Sequence, residues 1–474
     1  MIEGLKPYAE YKESGSKWLG AVPAKWEVRN LRTLISERAE RDRPDLPLLS
    51  VAREKGVFVR SMTDADENHN VIPDDLTNYK VARAGNLVIN KMKAWQGSMG
   101  IAPCDGIVSP AYFVFDFRIA NHAFGQRLLR SKPYVAHFGQ ASDGVRVGQW
   151  DLSIPGMRQI PVLVPSEDEQ AAIVRFLDHA NRKIDGFIRA KRKLIGLLNE
   201  QKQAIIHRAV TGKDEVRMVK DENGNSSFIL QPSTLPKKPS GIPWLGDIPK
   251  HWGIVRNMAL FAHRVESGIS GLPVLQVSLR SGITAEELDQ FGRPKRLIAD
   301  ATKYKRIHQG DMAYNTMRMW QGAVGVSPSD GLVSPAYVVL KPRKDTCPEF
   351  YDFIFHTEVY KQQVNRQSTG IVSDRNRLYW DSFKQMPNLQ LPHTEQEEIV
   401  AYIAKETAAL TTAIARTERE IALMQEYRTR LTADLVTGKL DVREAAAKLP
   451  DLPNETVDTP YEELEENEPE EVEA

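Results

Sequence analysis

The sequence predicts an α+β protein built twice over: two duplicated globular α/β domains, each followed by one long helix, with the two helices paired as an antiparallel coiled coil that separates the globules. Three observations predict it. The 474-residue chain repeats itself at an offset near 226. Each copy closes on a proline-free run ending VTGK, and Gln170 to Gly212 in the first run spans 42 positions, as does Gln396 to Gly438 in the second. Both runs carry apolar residues at heptad spacing, the mark of a helix that buries one narrow seam.

Composition sets the class. At 41% hydrophobic and 27% charged residues the chain is that of a soluble globular protein, and its length implies two to four domains. No run approaches the 18 or so apolar residues of a membrane span, and the first residues have neither a basic nor an apolar targeting region, so a cytoplasmic location without membrane contact is expected. Cys104 and Cys347 are the only cysteines, which excludes a disulfide framework and a zinc site of several thiolates. The formal charge of zero conceals a split: residues 451–474 hold 11 acids and no Lys or Arg, leaving 63 basic against 52 acidic residues in the rest. A basic body with an acidic tail results.

The first globule is expected over residues 1–165. It opens on WLGAVPAKW, from Trp18, which returns as WLGDIPKHW from Trp244. The longest match pairs YKVARAGNLVINKMKAWQGSMGIAPCDGIVSPAYFV, from Tyr79, with YKRIHQGDMAYNTMRMWQGAVGVSPSDGLVSPAYVV, from Tyr304; half of its 36 positions are identical. Residues 86–90 and 112–117, bounded by Gly, Pro and Asp-Gly, read as strands, and residues 121–129 and 348–363 as helices.

The long helices follow, at 166–213 and 393–440. Ser166 with Glu169, and Thr394 with Glu397, fit capping boxes, and Gly212 and Gly438 fit the left-handed turn that ends a helix. The first seam is Leu177, Ile184, Leu198 and Ile205, with Lys191 as a polar break and Ile173, Ala180, Phe187 and Leu194 in the companion positions. The second is Ile403, Leu410, Met424 and Leu431, broken by Thr417, with Ile399, Ala413 and Tyr427 as companions. A seam this narrow needs a partner, and the other copy supplies one; the alternative is that each helix packs only on its own globule. Residues 214–240 read as a linker with a hairpin turn at Asn223-Gly224 and an extended Pro-rich stretch. The second globule is expected over 241–392, and 441–474 as an acidic, disordered tail.

No catalytic motif emerges. There is no phosphate loop, dinucleotide fingerprint, zinc-protease pair or nucleophile elbow. An acid-x-Lys triplet of nuclease type, Glu200-Gln-Lys202, lies inside the long helix, where it reads as surface charge, and the chain reads as a binder. Two stretches offer groups suited to DNA. In the first, Lys91, Lys93 and Gln96 match Thr316, Arg318 and Gln321, flanking Trp95 and Trp320; Arg or Lys pairs with guanine and Gln with adenine in the major groove, whereas the tryptophans read more simply as core. In the second the copies diverge: Ser142, Arg146 and Gln149 face Thr369, Arg375, Asn376 and Arg377, as two related readers of different sequences would require. Ordinary loop drift is the competing reading there.

The duplicated WLG-x-x-P-x-x-W opening, the WQG and SPAY motifs and the two helices ending VTGK together resemble the DNA specificity subunit of type I restriction-modification systems, over residues 11–442. The resemblance implies two target recognition domains, each reading half of a bipartite DNA site, and a coiled coil that spaces them. It implies no catalysis in this chain. Two methyltransferase subunits and ATP-dependent restriction subunits would be its partners, and S-adenosylmethionine, ATP and Mg would belong to them, with no cofactor or metal in this chain. The rival reading from another class is a coiled-coil scaffold that joins two protein-binding domains without DNA. For the acidic tail, solubility competes with mimicry of DNA.

Overall fold

The computed structural model describes residues 5–60, 75–146, 149–220, 226–232, 235–242, 245–279, 282–284, 300–369 and 376–450. Two compact units divide the chain, Met1–Ala190 with Arg419–Ala474, and Lys191–Glu418. The division falls in the middle of both long helices. Each unit therefore holds one globule, part of its own helix and part of the helix of the other copy.

In the first unit a four-stranded antiparallel sheet has the spatial order Ile35–Glu37, Tyr112–Phe117, Leu87–Asn90, Met99–Ile101. In the second unit the order is Phe261–Arg264, Tyr337–Pro342, Met312–Asn315, Val324–Val326, strand for strand the same. The run Leu87-Val88-Ile89 is apolar at successive positions because both sheet faces are covered. Leu87 and Ile89 enter the main core with Phe115 and Phe117, while Val88 and Val114 enter a second core on the opposite face. Met312, Tyr314, Val338 and Leu340 repeat this division against Ala313 and Val339.

Two short helices close the main core of each unit, His122–Leu129 and Lys132–Gln140 in the first. The expected single helix over 348–363 is two, Pro348–Phe355 and Glu358–Gln367. Thr357 breaks it by capping the second, its side chain accepting from the Tyr360 N–H. Each globule then returns to its beginning: Pro161–Val164 pairs with Glu27–Asn30, and Pro387–Gln390 with Gly253–Arg256. This return aims each long helix.

The long helices run Glu167–Val210 and His393–Val436, 44 residues each. Buried Gln170 fixes the first: its Oε1 accepts from the Asn121 N–H at 3.0 Å and its amide donates to the Pro165 carbonyl. Gln396 makes the same bonds to the Cys347 N–H and the Leu391 carbonyl. The expected capping box at Thr394 and Glu397 is corrected, since the second helix already includes His393 and its first-turn bond runs from the Gln396 N–H to the Pro392 carbonyl. Proline stands where the first copy has Ser166.

Within each unit the start of one long helix shares a core with the end of the other, so the pair is antiparallel. In the first unit Ile173, Leu177 and Ala180 join Leu431, Leu435 and Val436, and Asp185 pairs with Arg428. In the second, Ile206, Ala209 and Val210 join Ile399, Tyr402 and Ile403, and Lys202 Nζ donates to Thr411 Oγ1 at 3.1 Å. Of the expected seam, Leu177, Ile184, Ile403 and Leu431 are buried, and Leu198, Ile205, Leu410 and Met424 half-buried. Phe187 and Leu194 are corrected: they are 36% and 40% exposed, and Ile188 is buried instead. From Leu177 to Ile188 is 11 residues in three turns, nearer a straight helix than a strict heptad, so the seam rotates past Phe187.

Each helix ends alike. Thr211 and Thr437 hydroxyls donate to the carbonyls of His207 and Ala433, both at 2.6 Å, and Gly212 and Gly438 turn the chain with φ of +66° and +76°. A Cβ on Gly212 would meet Pro249 and Trp252, the Pro-x-x-Trp of the second globule; one on Gly438 would meet Pro23 and Trp26 of the first. The segment after Gly438 is not a tail from 441: Asp441 bridges to Lys6, Arg443–Ala447 is helical, and Val442 and Ala446 are buried. The acidic residues 451–474 lie outside the described residues. The linker forms a hairpin of Asp214–Lys220 with Ser226–Pro232, and its expected Asn223-Gly224 turn also lies outside them. Among the described residues, no helix is long and apolar enough to cross a membrane.

Replacing Gly438 by Ala forces a Cβ into the left-handed region and against Pro23, and should lower stability in urea by about 2–4 kcal/mol. Gly186 lies in the first long helix with nothing within 4 Å of an added Cβ, so Gly186→Ala should instead raise stability by up to about 1 kcal/mol. Equal effects at the two positions would refute the helix-end docking.

Candidate nucleic-acid interface

The WQG motif builds the same turn in both units. As the strand Leu87–Asn90 ends, Asn90 Oδ1 accepts from the Met92 N–H at 3.1 Å, and the Lys93 N–H donates to the Asn90 carbonyl. A 3-10 turn follows over Ala94–Gln96 and closes on Gly97 at φ +89°. Trp95 Nε1 donates back to the Met92 carbonyl at 3.1 Å. In the second unit Asn315 accepts from the Met317 N–H at 3.0 Å, Trp320 Nε1 donates to the Met317 carbonyl at 3.0 Å, and Gly322 has φ +98°. The tryptophans are half-buried braces of the turn, neither full core nor free reading groups. Trp95 leans on Trp150 at 5.1 Å between ring centroids.

The segment where the copies diverge hangs from this turn. The Leu152 N–H donates to the Lys91 carbonyl at 2.9 Å, and the Leu378 N–H donates to the Thr316 carbonyl at 2.9 Å. In the first unit the segment is a hairpin of Ser142–Arg146 with Gln149–Leu152. In the second, Thr369 and Arg377 exchange two main-chain bonds of 3.0 Å. The two candidate stretches thus meet within each unit, a common turn beside a variable loop.

Placement sorts the candidate residues. Lys93, Gln321, Thr369 and Arg377 are exposed, and Gln96, Arg318 and Asn376 half-buried. Lys91 faces Asp151, with Nζ 3.2 Å from Oδ2. Arg146 and Gln149 pair through their backbones across the hairpin. Two candidates are corrected. Ser142 is buried, its hydroxyl donating to the Phe138 carbonyl at 2.8 Å, and so terminates a helix. Thr316 is buried too, and contributes the carbonyl that holds Leu378. Arg375 lies outside the described residues.

Sequence reasoning passed over Met92 and Met317. They are 50% and 39% exposed at the tips of the turns, each with its own N–H and C=O held by the motif's Asn and Trp. The signal was available, since methionine stands at this position in both copies. Among the described residues, no group of three His, Cys, Asp or Glu side chains is placed to hold a metal ion.

No protein-family model matches the chain, and no curated protein matches its sequence. Its fold is similar to that of a chain in a solved structure concerned with complex assembly and conformational transition of the type I R-M system. The TM-score is 0.57 at 15% identity, over 88% of this chain and 98% of that one. The HsdS subunit from Thermoanaerobacter tengcongensis aligns with a TM-score of 0.38 at 15% identity, over 90% of this chain and 99% of that one. The S subunit of a type I restriction-modification system from M. genitalium gives 0.31 at 10% identity, over 90% and 96%. The first likeness shows the fold that the sequence motifs implied.

Replacing Asn315 by Ala leaves the Met317 N–H without its acceptor and should cost about 1–2 kcal/mol in denaturant unfolding. Amide hydrogen exchange at Met317 should accelerate in step. Unchanged exchange there would mean that the asparagine does not hold the turn.

Proposed function

We propose that this chain is the DNA-recognition subunit of a type I restriction-modification complex. Each globule reads one half of a bipartite, asymmetric site, and the paired helices set the number of unread base pairs between the halves. The observation that carries this reading is the pairing, in each unit, of a duplicated basic-amide turn with a loop that differs between the copies. A common turn suits contacts that both halves of the site require, and a divergent loop suits base edges that differ. The fold similarity to the type I chain supports the same reading.

Chemistry then belongs to other subunits. Two methyltransferase subunits dock at pseudo-equivalent places on the duplicated chain, and ATP-dependent restriction subunits join for cleavage. S-adenosylmethionine, ATP and Mg are bound by those partners. The target adenine of each half-site is swung out of the duplex into a methyltransferase, because its reactive atom is out of reach inside the stack. Positive charge on the globules contributes the salt-dependent part of the affinity.

Mapping methylated adenines in cells that carry the system tests the reading, with paired adenines at a fixed separation as the expected result. Inserting four residues into the first long helix alone should change that separation or abolish modification; an unaltered separation would sink the ruler. Arg318→Ala should weaken DNA binding by the assembled complex and lower the slope of log affinity against log salt by about 1 if the side chain neutralises a phosphate. An unchanged slope would remove Arg318 from the backbone contacts.

A further inference from the structure

We infer that Met92 and Met317 each contact the thymine opposite the target adenine, one in each half of the DNA site; this inference rests on the proposed reading as a DNA-recognition subunit. Their presentation is the starting point. An exposed methionine on a loop is ordinarily free to swing, yet here the backbone of each is held on both sides: its N–H by an asparagine side chain and its C=O by an indole N–H, all within 3.0–3.1 Å. The left-handed glycine at the end of each turn fixes the same fold. Two copies that have diverged at half of their best-matched positions still present the same apolar side chain in the same way.

What an unchanged residue meets should be what the two half-sites share. The divergent loops answer for the bases that differ. If one adenine is modified in each half, the base pair common to both is that A·T pair. Once the adenine has left the stack, its thymine remains in the duplex, and the C5 methyl of thymine is the one apolar group that any base shows in the major groove. A methionine, unbranched and polarizable, adapts to such a small flat target. Its neighbours suit the same surface: the cation of Lys93 or Arg318 follows it directly, and the amide of Gln96 or Gln321 lies four positions on. A protein partner would be met by the same methionine with no preference among DNA bases, and this difference can be measured.

The experiment uses the full chain in complex with its methyltransferase subunits, and a duplex carrying the mapped site in which the thymine opposite each target adenine is replaced in turn by deoxyuridine, which removes only the methyl. The native complex should bind each uracil duplex about fourfold more weakly, the worth of one buried methyl group. Met92→Gln should weaken the thymine duplex by a similar factor and lose sensitivity to uracil in one half-site only, and Met317→Gln should do so in the other. Met92→Leu, which keeps an apolar contact, should restore discrimination. Both side chains are exposed, so unchanged melting temperatures are expected and exclude misfolding as the cause. Equal uracil sensitivity in native and variant complexes would overturn the inference, as would variants that shed methyltransferase subunits while keeping native discrimination. Absence of DNA binding by the native complex would instead overturn the proposed function, and this inference with it.

Discussion

Each long helix ends against the globule of the other copy, and the assembly of both units depends on that contact. Gly212 meets Pro249 and Trp252, and Gly438 meets Pro23 and Trp26, at positions where a side chain as small as a methyl would collide. Indoles buried in two separate cores are the receiving surfaces. Neither half of the sequence therefore completes a unit alone. The first unit includes the segment after the second long helix, with the strand-like bridge from Asp441 to Lys6 and the Arg443 guanidinium 5.4 Å over the ring of Tyr8. The receiving Pro-x-x-Trp and the VTGK helix end that fills it are thus both duplicated, one pair for each unit.

Duplication also separates what the scaffold requires from what each copy has altered. In the first unit Arg83 bridges Glu40 and Asp105; in the second, His308 stands in the same place, 2.9 Å from Glu266 and 3.4 Å from Asp330. The carboxyls of Asp105 and Asp330 are both held below the usual range, chiefly by the backbone N–H groups of Ala84 and Gln309. The carboxylates and the backbone donors are retained, while an imidazole has taken the place of the guanidinium. The same logic applies at the candidate interface, where main-chain bonds to the carbonyls of Lys91 and Thr316 anchor two loops of different sequence. Backbone bonds ignore side-chain identity, so such a loop can vary without loosening its attachment.

Much of this was legible in the sequence because it depends on local rules or on repetition. The two strands over 86–90 and 112–117, the helix capped by Asn121 and the glycine-ended long helices are set by turn residues and periodicity, and they stand in the structure. What escaped depends on tertiary partners. A heptad template places Phe187 on the seam, but a straight helix drifts past it to Ile188. Thr394 has a carboxylate three residues on, but the returning strand Pro387–Gln390 delivers the chain to the helix earlier, at Pro392. Composition marked the segment from 441 as tail, although Val442 and Ala446 join a core that also holds Tyr8, Trp26 and Ile173. At the interface, type alone nominated Ser142 and Thr316, and only burial shows that both serve the fold.

The polar break at Thr417 follows from the same division between local and tertiary needs. Thr417 is buried, and its hydroxyl donates to the Ala413 carbonyl at 2.7 Å within its own helix; Thr407 does the same with Ile403. Each satisfies its hydroxyl within its own helix. Specific pairing is left to polar contacts between the helices: Asp185 with Arg428 in one unit, and Lys202 with Thr411 in the other. An apolar seam alone tolerates a slip by one heptad, whereas such a slip would part both polar pairs and draw Gly212 and Gly438 away from their indoles. Within each unit, register is thereby held at the helix end by sterics and beside it by a polar contact.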